Sequence, residues 1–267
     1  MTVKILAFLL ALFGGGPEGG SPVLAQAQPA KQEPAKQQQP AAKKPAPPAP
    51  GPSATPASSG EAVKIIDEVQ KFYQATPQLT AKFRQTTTLG AFGRSQTNDG
   101  QVYLKKPGRM RWDYVNKRDK KSISKSQMSD GNTIWVVLVQ DKQYFRASLK
   151  DSTLPVAVTF LTGKGDLKSE FNAAIDTSGQ FGSKADRVLH LTPKKPSAQF
   201  KDLYLVVDPQ NYRVKQSIVI NAGGDVNKFQ FFEPDTTKKV ADTWFVFNPK
   251  APAARGFRQV QPPKEPQ

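Results

Sequence analysis

The side chains that most often perform catalysis or bind metals are scarce in this sequence. The 267 residues include no Cys and a single His, His190. Without Cys there is no disulfide, no thiolate metal site, no Cys nucleophile and no lipid-modified N-terminal Cys. His190 alone could complete a Ser-His-Asp triad, but the run Arg187-Val188-Leu189-His190-Leu191 alternates as a β-strand does. We therefore interpret His190 as an ordinary strand side chain and exclude a multi-His metal site.

Carboxylates are more common, but no pair has a spacing that indicates acid–base catalysis. Asp208 and Asp235 each lie next to a Pro, in a setting typical of turns. The sequence has no P-loop, no G-x-G-x-x-G after a strand and no G-x-S-x-G motif. We therefore predict no catalytic residue, no metal, no cofactor and no enzymatic activity.

The chemistry that the sequence does offer is apolar binding. Residues 100–114 are predicted to form two short strands joined by a Pro107-Gly108 turn. In the second strand, apolar and polar residues alternate. The apolar face consists of Met110, Trp112 and Tyr114, and the polar face consists of Arg109, Arg111 and Asp113. This pattern is typical of a half-buried antiparallel strand, and here the apolar face is large and aromatic.

The N-terminal region predicts export. A short basic start precedes the apolar run Ile5–Phe13, and Ala25-Gln26-Ala27 has the A-x-A form of a cleavage site. The apolar run is too short to span a bilayer, which needs about 20 residues. We therefore interpret residues 1–27 as a signal peptide.

Two further segments have the composition of unstructured chain. Residues 28–58 consist almost entirely of Pro, Ala, Gln, Lys, Gly and Ser, which cannot form a core. We predict a disordered linker there, with a basic tether as the alternative. Residues 253–267 are predicted to be a loose Pro-rich tail, which leaves residues 59–252 as the folded domain.

The formal charge of +16 permits nucleic acid, an anionic membrane or acidic proteins as partners, or simply a solvated basic exterior. Much of the basic charge alternates with apolar residues in predicted strands, which fits the outward face of a sheet. The sequence contains no nucleic-acid-binding motif, and export argues against such a partner. We predict none.

The predicted elements give a mainly β (α+β) fold. A helix over residues 60–75 begins at a capping-box pattern from Ser58 to Glu61. A meander of strands follows, then a short helix after Pro155, a second meander and a last strand at Phe245–Pro249. About ten antiparallel strands with so few helices imply one strongly curved sheet or an open barrel, with helices over the concave side.

The few predicted helices are too narrow to cover so wide a sheet, because a helix is about 10 Å across and strands are about 4.8 Å apart. An apolar sheet face is by default a packed core. Here the sheet either closes on itself or leaves an apolar hollow, and a hollow in an exported protein suggests a lipid ligand.

Five segments, in this order, resemble the periplasmic outer-membrane lipoprotein carrier (LolA-like) family. They are Phe83-x-Gln85, the run from Gly100 to Tyr114, Ser129-Asp130-Gly131-Asn132-Thr133-Ile134-Trp135, Leu191-Thr192-Pro193-Lys194 and Phe245-x-Phe247-x-Pro249. Each segment alone is weak, but their order and spacing together are fairly specific. The resemblance covers about residues 61–252.

The resemblance implies an unclosed antiparallel half-barrel whose apolar concave face lies under a lid of short helices. It also implies a monomeric periplasmic carrier that takes acylated lipoproteins from an inner-membrane lipoprotein-releasing ABC transporter to an outer-membrane receptor, where one is present. In the family, a basic residue before the Pro of the Gly100–Tyr114 run, usually Arg, latches the lid. That residue is Lys106 here, and Met110 stands where the family often has an aromatic residue. Lys lacks the planar fork of Arg, so we expect a weaker or a different latch.

On this basis we predict the residues of an acyl-chain cavity and of its lid. The cavity residues are Phe83, Leu104, Met110, Trp112, Tyr114, Leu189, Leu205 and Phe229. The lid residues are Val156, Phe160 and Leu161.

One other function fits the same pattern: an envelope sensor on the same fold, which would bind acyl chains and signal to a membrane protein. Two further functions lack the residues that they need. The outer-membrane receptor of the same pathway normally needs a lipidated Cys, which this chain lacks. A lipid-processing enzyme would need a catalytic constellation, and we find none.

Overall fold

The computed structural model describes residues 59–91, 93–149, 161, 166–196 and 200–261. This part of the chain is a single large sheet with one long helix against it. The first element is helix α1, Gly60–Ala75, which confirms the helix predicted from apolar spacing. Its N-cap is Ser59 rather than Ser58, and the Ser59 hydroxyl accepts a hydrogen bond from the Ala62 N–H at 3.2 Å.

Helix α1 ends at Thr76. The Thr76 N–H and Oγ1 both donate to the carbonyl oxygen of Phe72, at 3.1 and 2.8 Å. Pro77 follows and restricts the residue before it to extended backbone. The buried residues of α1 form an apolar stripe that packs against the sheet. They are Ala62, Ile65, Ile66, Val69 and Tyr73.

The described residues form twelve strands and one further short α-helix. The strands are β1 (Gln78–Leu89), β2 (Arg94–Lys105), β3 (Arg109–Val115), β4 (Ile123–Ser129), β5 (Thr133–Leu138), β6 (Gln143–Ser148), β7 (Phe171–Ile175), β8 (Arg187–Pro193), β9 (Asp202–Val207), β10 (Val214–Ile220), β11 (Val226–Asp235) and β12 (Arg258–Gln259). Helix α2, Leu167–Glu170, immediately precedes β7. Two 3-10 helices, Asp242–Phe245 and Pro252–Ala254, lie between β11 and β12.

All strands belong to one sheet in the order β12-β6-β5-β4-β3-β2-β1-β11-β10-β9-β8-β7. Every neighbouring pair is antiparallel except β12 with β6. The two ends of this order, β12 and β7, are not paired, so the sheet stays open. The fold class predicted from the sequence is confirmed: mainly β, with one unclosed antiparallel sheet.

Residues of opposite strands that pair directly share a face, so the register defines two faces. We call the face that α1 covers the inner face, and its opposite the outer face. The inner face and α1 form the largest buried cluster of the protein. Two smaller clusters lie on the outer face, one around Met128 and Trp135 and one around Val206 and Ile218.

The segment after β11 differs from the prediction. Phe245–Pro249 was predicted to be a strand, but Phe245 ends a 3-10 helix and is fully buried. The ring of Phe247 packs against Tyr144, with ring centroids 4.8 Å apart. Phe247 is partly buried against the outer-face cluster of Met128 and Trp135, so the alternation of Phe245 and Phe247 does not indicate a strand in the ladder.

The predicted loose tail is also wrong as far as the structure describes it. Residues 258–259 form β12, and Ala254 is buried. The Val260 N–H donates to the Tyr144 carbonyl oxygen at 2.8 Å. The edge of β6 offers unpaired backbone groups, and pairing with them decides the conformation of a segment whose own composition favours no strand.

Strands β1 and β2 form a long hairpin in which twelve residues of each strand pair, from Gln78 with Lys105 to Leu89 with Arg94. Strand β7 was not predicted. Its sequence, Phe171-Asn172-Ala173-Ala174-Ile175, has little strand propensity, and pairing with β8 forms it. Of the helix predicted after Pro155, only Leu161 lies within the described residues; Val156 and Phe160 lie outside them.

Candidate lipid-binding face

All eight predicted cavity residues lie in the buried cluster between the inner face and α1. Six are on the four central strands: Phe83 on β1, Leu104 on β2, Phe229 on β11 and the other three on β3 (Met110, Trp112 and Tyr114). The remaining two, Leu189 on β8 and Leu205 on β9, are directly paired and fully buried. The fold thus brings together residues up to 146 positions apart in the sequence, from Phe83 to Phe229.

The aromatic members form one contiguous group around Phe83. Ring centroids are 5.1 Å apart for Phe83 and Trp112, 5.1 Å for Phe83 and Tyr114, and 5.8 Å for Phe83 and Phe229. Trp112 also contacts Phe229 at 5.1 Å. Phe231, which was not predicted, extends the group, and its ring stacks on Phe229 at 6.3 Å. Its position directly opposite Phe83 in the ladder depends on the β1–β11 register, which the sequence does not display.

Gly100 makes room for the Phe83 ring. A Cβ atom at position 100 would lie 2.5 Å from Phe83 Cζ and 2.2 Å from the Asp113 carbonyl oxygen. Only Gly therefore lets the ring lie against the β2 backbone, between Tyr114 and the rest of the aromatic group.

Little space is left between the inner face and α1. A cleft of about 10 Å³ lies beside Tyr73, Leu104, Lys106 and Leu161, which is room for about one water molecule. Binding sites for lipid-sized ligands are commonly several hundred Å³. Among the described residues, the predicted cavity residues pack on one another and on α1 in one buried cluster.

Helix α1 has two sets of polar attachments to the sheet. Toward β7 and β10, the Ser59 N–H donates to the Ala173 carbonyl oxygen at 3.0 Å, and the Tyr73 hydroxyl accepts from the Val214 N–H at 3.3 Å. Burial raises the pKa of Tyr73, so this hydroxyl stays neutral. Helix α2 adds an ion pair between Lys168 Nζ and Asp67 at 2.5 Å.

The second set of attachments involves Lys106, the predicted latch, in the β2–β3 turn. Its ammonium group donates to the carbonyl oxygen of Gln74, in the last turn of α1. Its main-chain N–H donates to the Pro77 carbonyl oxygen at 2.9 Å. A cation at this position also interacts favourably with the helix dipole, and the last turn of α1 has no basic residue of its own. The resemblance implies a bond from Lys106 to the lid, whereas the bond described here goes to α1.

Three basic residues of the β2–β3 hairpin, Lys105, Arg109 and Arg111, point away from this site. Lys105 and Arg109 form ion pairs with Asp242, at 2.7 and 3.4 Å. The Arg111 guanidinium lies 4.3 Å from the centre of the Trp244 ring and donates to the Trp244 carbonyl oxygen at 3.0 Å. These contacts attach the segment after β11 to the outer face. Sequence reasoning missed this role, because partners more than 130 residues apart give no periodic signal.

His190 also lies on the outer face. Its Nε2 is 2.7 Å from Asp202 Oδ1, and its ring stacks on Tyr204 with centroids 4.4 Å apart. Among the described residues, no cluster of His, Asp and Glu side chains could hold a metal ion. Within the same part of the chain, no helix is long and apolar enough to cross a bilayer.

An open antiparallel sheet with an aromatic inner face under a helix defines the class of this protein as an LolA-like fold. The model of the family described as "Outer membrane lipoprotein carrier protein LolA" matches residues 74–248. The chain therefore belongs to the LolA family of outer membrane lipoprotein carrier proteins, as the resemblance in the sequence predicted.

Among characterised sequences, the chain is similar to an outer-membrane lipoprotein carrier protein of Methylobacillus flagellatus. The two are 21% identical over 184 residues, which is 68% of this chain and 83% of the relative.

Two solved structures are also similar. One is an uncharacterised conserved protein from Thermus thermophilus, with a TM-score of 0.47 and 12% identity over 75% of this chain and 98% of that chain. The other is a LolA superfamily protein from Nitrosomonas europaea, with a TM-score of 0.39 and 12% identity over 70% of this chain and 97% of that chain.

Proposed function

We propose that this protein is a periplasmic, non-enzymatic carrier that binds the acyl chains of lipoproteins between its inner face and its helical cover. It would take them from an inner-membrane releasing ABC transporter to the outer membrane. One observation supports this most directly: residues of several strands converge on a single aromatic and aliphatic face beneath α1. Membership of the lipoprotein carrier family agrees with it.

The physical task of such a carrier is to keep acyl chains out of water. Burying one methylene contributes about 0.8 kcal/mol, so exposing a chain of ~16 carbons costs on the order of 12 kcal/mol. The inner face supplies apolar contacts of the required kind. Aromatic rings that pack on one another in the empty state can instead pack on an alkyl chain, so the face stays out of water before loading and after release.

Loading then requires the cover to separate from the inner face. The two sets of attachments of α1 suggest where. The contacts of Ser59, Asp67 and Tyr73 would hold α1 on the β7–β10 side, while the Lys106 bond to Gln74 breaks on the β2–β3 side. The chain would then enter next to Met110 and Trp112. Lys106 acts in this scheme as the latch, and residues 156–161 as the remainder of the lid.

The rest of the chain fits an exported carrier in this proposal. Residues 1–27 direct export and are cleaved, and residues 28–58 are a linker before the folded domain that does not contribute to the acyl site. Mass spectrometry of the mature N-terminus in periplasmic extracts tests both cleavage and location. A mature protein that begins at Met1, or that is found in the cytoplasm, contradicts this part of the proposal.

The central experiment is binding of a synthetic lipopeptide with fluorescent acyl chains to the purified mature protein. We expect saturable binding at one site, competed by unlabelled lipopeptide and not by the deacylated peptide. The matched variants are Trp112→Asp on the inner face and Trp244→Asp on the outer face. Loss of binding in the first alone supports the proposal, whereas absence of binding by the wild type refutes it.

A second experiment separates the carrier from an envelope sensor on the same fold. The protein is crosslinked in intact cells and recovered with its partners. Recovery of acylated lipoproteins together with an inner-membrane ABC transporter supports the carrier. Recovery of a membrane signalling protein without lipoprotein cargo contradicts it.

A further inference from the structure

The inner face is not uniformly apolar along the strands. Its directly paired residues form rows across β1, β2 and β3, and the rows nearest the Lys106 turn are apolar: Leu79, Leu104 and Met110, then Ala81, Val102 and Trp112. The next row contains Phe83, Gly100 and Tyr114. The rows beyond it are polar: Gln85 and Asn98, then Thr87 and Gln96. We call this second end of the inner face the polar end.

One amide side chain at the polar end, that of Gln85, is buried, whereas those of Gln96, Asn98 and Asn227 are half-buried. Gln85 is 1% exposed. Its Nε2 donates to Oδ1 of Asn227, on β11, at 3.1 Å. Hydrogen-bonding groups thus continue the inner face directly next to the aromatic group around Phe83.

A cation lies on the same face, at the boundary between the aromatic and polar rows. Lys125 pairs with Tyr114 across the β3–β4 ladder, so it points to the inner face. Its Nζ is 4.1 Å from the centre of the Tyr114 ring. The Tyr114 ring also contacts Phe83, the central residue of the aromatic group, so only the Tyr114 ring separates the ammonium group from Phe83. Burial lowers the pKa of Lys125 to about 8, which leaves it mostly charged at neutral pH.

The loop that joins β3 to β4 adds positive charge at this end. It contains four exposed cations, Lys117, Arg118, Lys120 and Lys121. Its single carboxylate, Asp119, accepts hydrogen bonds from the Lys121 N–H and from the N–H and hydroxyl of Ser122. The carboxylate is thus used to form the turn, and the loop gives the polar end a positive potential.

We propose that the inner face selects acyl amphiphiles with an anionic head, carboxylate or phosphate, whose tail lies on the aromatic group and whose head is bound by Lys125. This inference rests on the proposed acyl-binding function and adds the chemistry and the orientation of the ligand. The tail lies toward the Lys106 turn and the head toward the β3–β4 loop. The amide groups of Gln85 and Asn227 lie in the polar rows beyond Lys125, on the side away from the tail, where they can hydrogen-bond to the head.

The test compares ligands with one tail and different heads. Dodecanoate, dodecyl phosphate and 1-dodecanol compete, below their critical micelle concentrations, against a neutral fluorescent acyl probe. We expect both anions to bind about tenfold more tightly than the alcohol, because a hydrogen bond to a charged group contributes about 1.5 kcal/mol or more. A preference for the phosphate indicates a phospholipid-type head. A preference for the carboxylate indicates a fatty acid or an acidic residue next to an acylated terminus.

Three variants locate the selectivity. Lys125→Met keeps an unbranched side chain over Tyr114 without the charge and is expected to abolish the preference, because both anions then bind no more tightly than dodecanol. Lys125→Arg is expected to retain the preference. Lys64→Met removes a cation from the exposed side of α1 and is expected to change nothing.

Equal binding of all three ligands by the wild type overturns the head-group inference and leaves acyl binding intact. Equal weakening of all three ligands in Lys125→Met also overturns it, because Lys125 would then serve only the packing of the face. Failure of the wild type to bind any of the three ligands, or the neutral probe, overturns the proposed function as well.

Discussion

The ring of Phe83 lies against the backbone at Gly100 so closely that a Cβ atom there would be 2.5 Å from Phe83 Cζ. It would also be 2.2 Å from the main-chain oxygen of Asp113, which cannot move without disturbing the β2–β3 ladder. The aromatic group of the inner face therefore depends on a residue with no side chain. This relationship gives the first prediction.

Gly100→Ala should destabilise the fold by about 2 kcal/mol or more, since an extra methyl group in a packed region forces ring and backbone to shift. Urea unfolding monitored by circular dichroism measures the change. The matched control is Gly60→Ala, at the start of α1, where a Cβ atom meets nothing within 4 Å. The control should change stability by no more than about 0.5 kcal/mol. Equal effects of the two substitutions would contradict the close packing at Gly100.

Asp113→Asn should destabilise the protein by about 2 kcal/mol. Asp113 is 4% exposed; its two carboxylate oxygens share the single Arg111 Nε–H, each at 2.9 Å, and Oδ1 also accepts from the Ser126 hydroxyl at 2.5 Å. Loss of its charge leaves Arg111 without its paired carboxylate in a largely buried place. Urea unfolding at neutral pH again gives the value.

The control for Asp113 is Asp99→Asn. Asp99 also pairs with an arginine: Arg84 Nε donates to Oδ1 at 2.7 Å and Arg84 Nη2 donates to Oδ2 at 3.1 Å. Both of these side chains are about half exposed. Solvent screens this pair, so the expected cost is below about 1 kcal/mol. If the two substitutions cost the same, burial would not be what makes the Asp113 pair important.

Lys106→Ala should loosen the last turn of α1 and accelerate cargo release, with a cost in global stability of about 1 kcal/mol. Hydrogen–deuterium exchange of peptides from residues 70–76, together with the rate of lipopeptide release, measures the effect. Lys106→Arg should restore both. Lys71→Ala, which removes an exposed lysine 3.7 Å from Glu68, is the control and should change neither. If Lys106→Ala is largely unfolded but its folded fraction releases cargo at the wild-type rate, Lys106 is not a latch.

The position of the ligand can be read from the tryptophans. Trp112 lies in the inner-face cluster, whereas Trp135 lies in an outer-face cluster and Trp244 packs on the outer face against Arg111. Bromine on an acyl chain quenches only tryptophans that it contacts. We expect brominated dodecanoate to quench a variant that keeps Trp112 alone and to leave a variant that keeps Trp135 alone unquenched. The reverse pattern would place the acyl site on the outer face.

Lys125 gives a dependence of stability on pH. Its folded-state pKa of about 8 is below the ordinary value of 10.5, so between these values the unfolded chain binds more protons and stability rises with pH. The wild type should gain about 2 kcal/mol relative to Lys125→Met between pH 7 and pH 9.5. Burial raises the pKa of Tyr114, which keeps its ring neutral over this range. Urea unfolding of both proteins at the two pH values tests this, and parallel stability curves would contradict it.

Local patterns of the sequence were sufficient to predict several structural elements. The apolar spacing from Ala62 to Tyr73 predicted α1 with its observed bounds. Asp-Gly is a typical turn dipeptide, and at Asp130-Gly131 the Asp130 carboxylate accepts from the Asn132 and Thr133 N–H groups at 2.8 Å. Alternation placed Met110, Trp112 and Tyr114 on one face. Each of these signals arises from neighbours in the chain, so a linear pattern contains it.

Other features depended on distant partners. The pairing of β7 with β8, the pairing of β12 with β6 and the complete burial of Phe245 have no local signature in the sequence. Phe231 and Lys125 join the inner face through the β1–β11 and β3–β4 registers, and a shift of one residue would move either to the opposite face.

The sequence by itself determined the class of protein: a mainly β chain with almost no catalytic chemistry, an aromatic strand, and motifs of the lipoprotein carrier family in the right order. Only the tertiary structure decided how that chemistry is arranged. It directed Lys106 to the carbonyl of Gln74, packed the aromatic rings of the inner face on one another, and placed Lys125 beside Tyr114 at the boundary with the polar end. The physical reason is that propensity and periodicity act between residues close in the chain, whereas a binding face is defined by strand register, which sets distances between residues far apart in it.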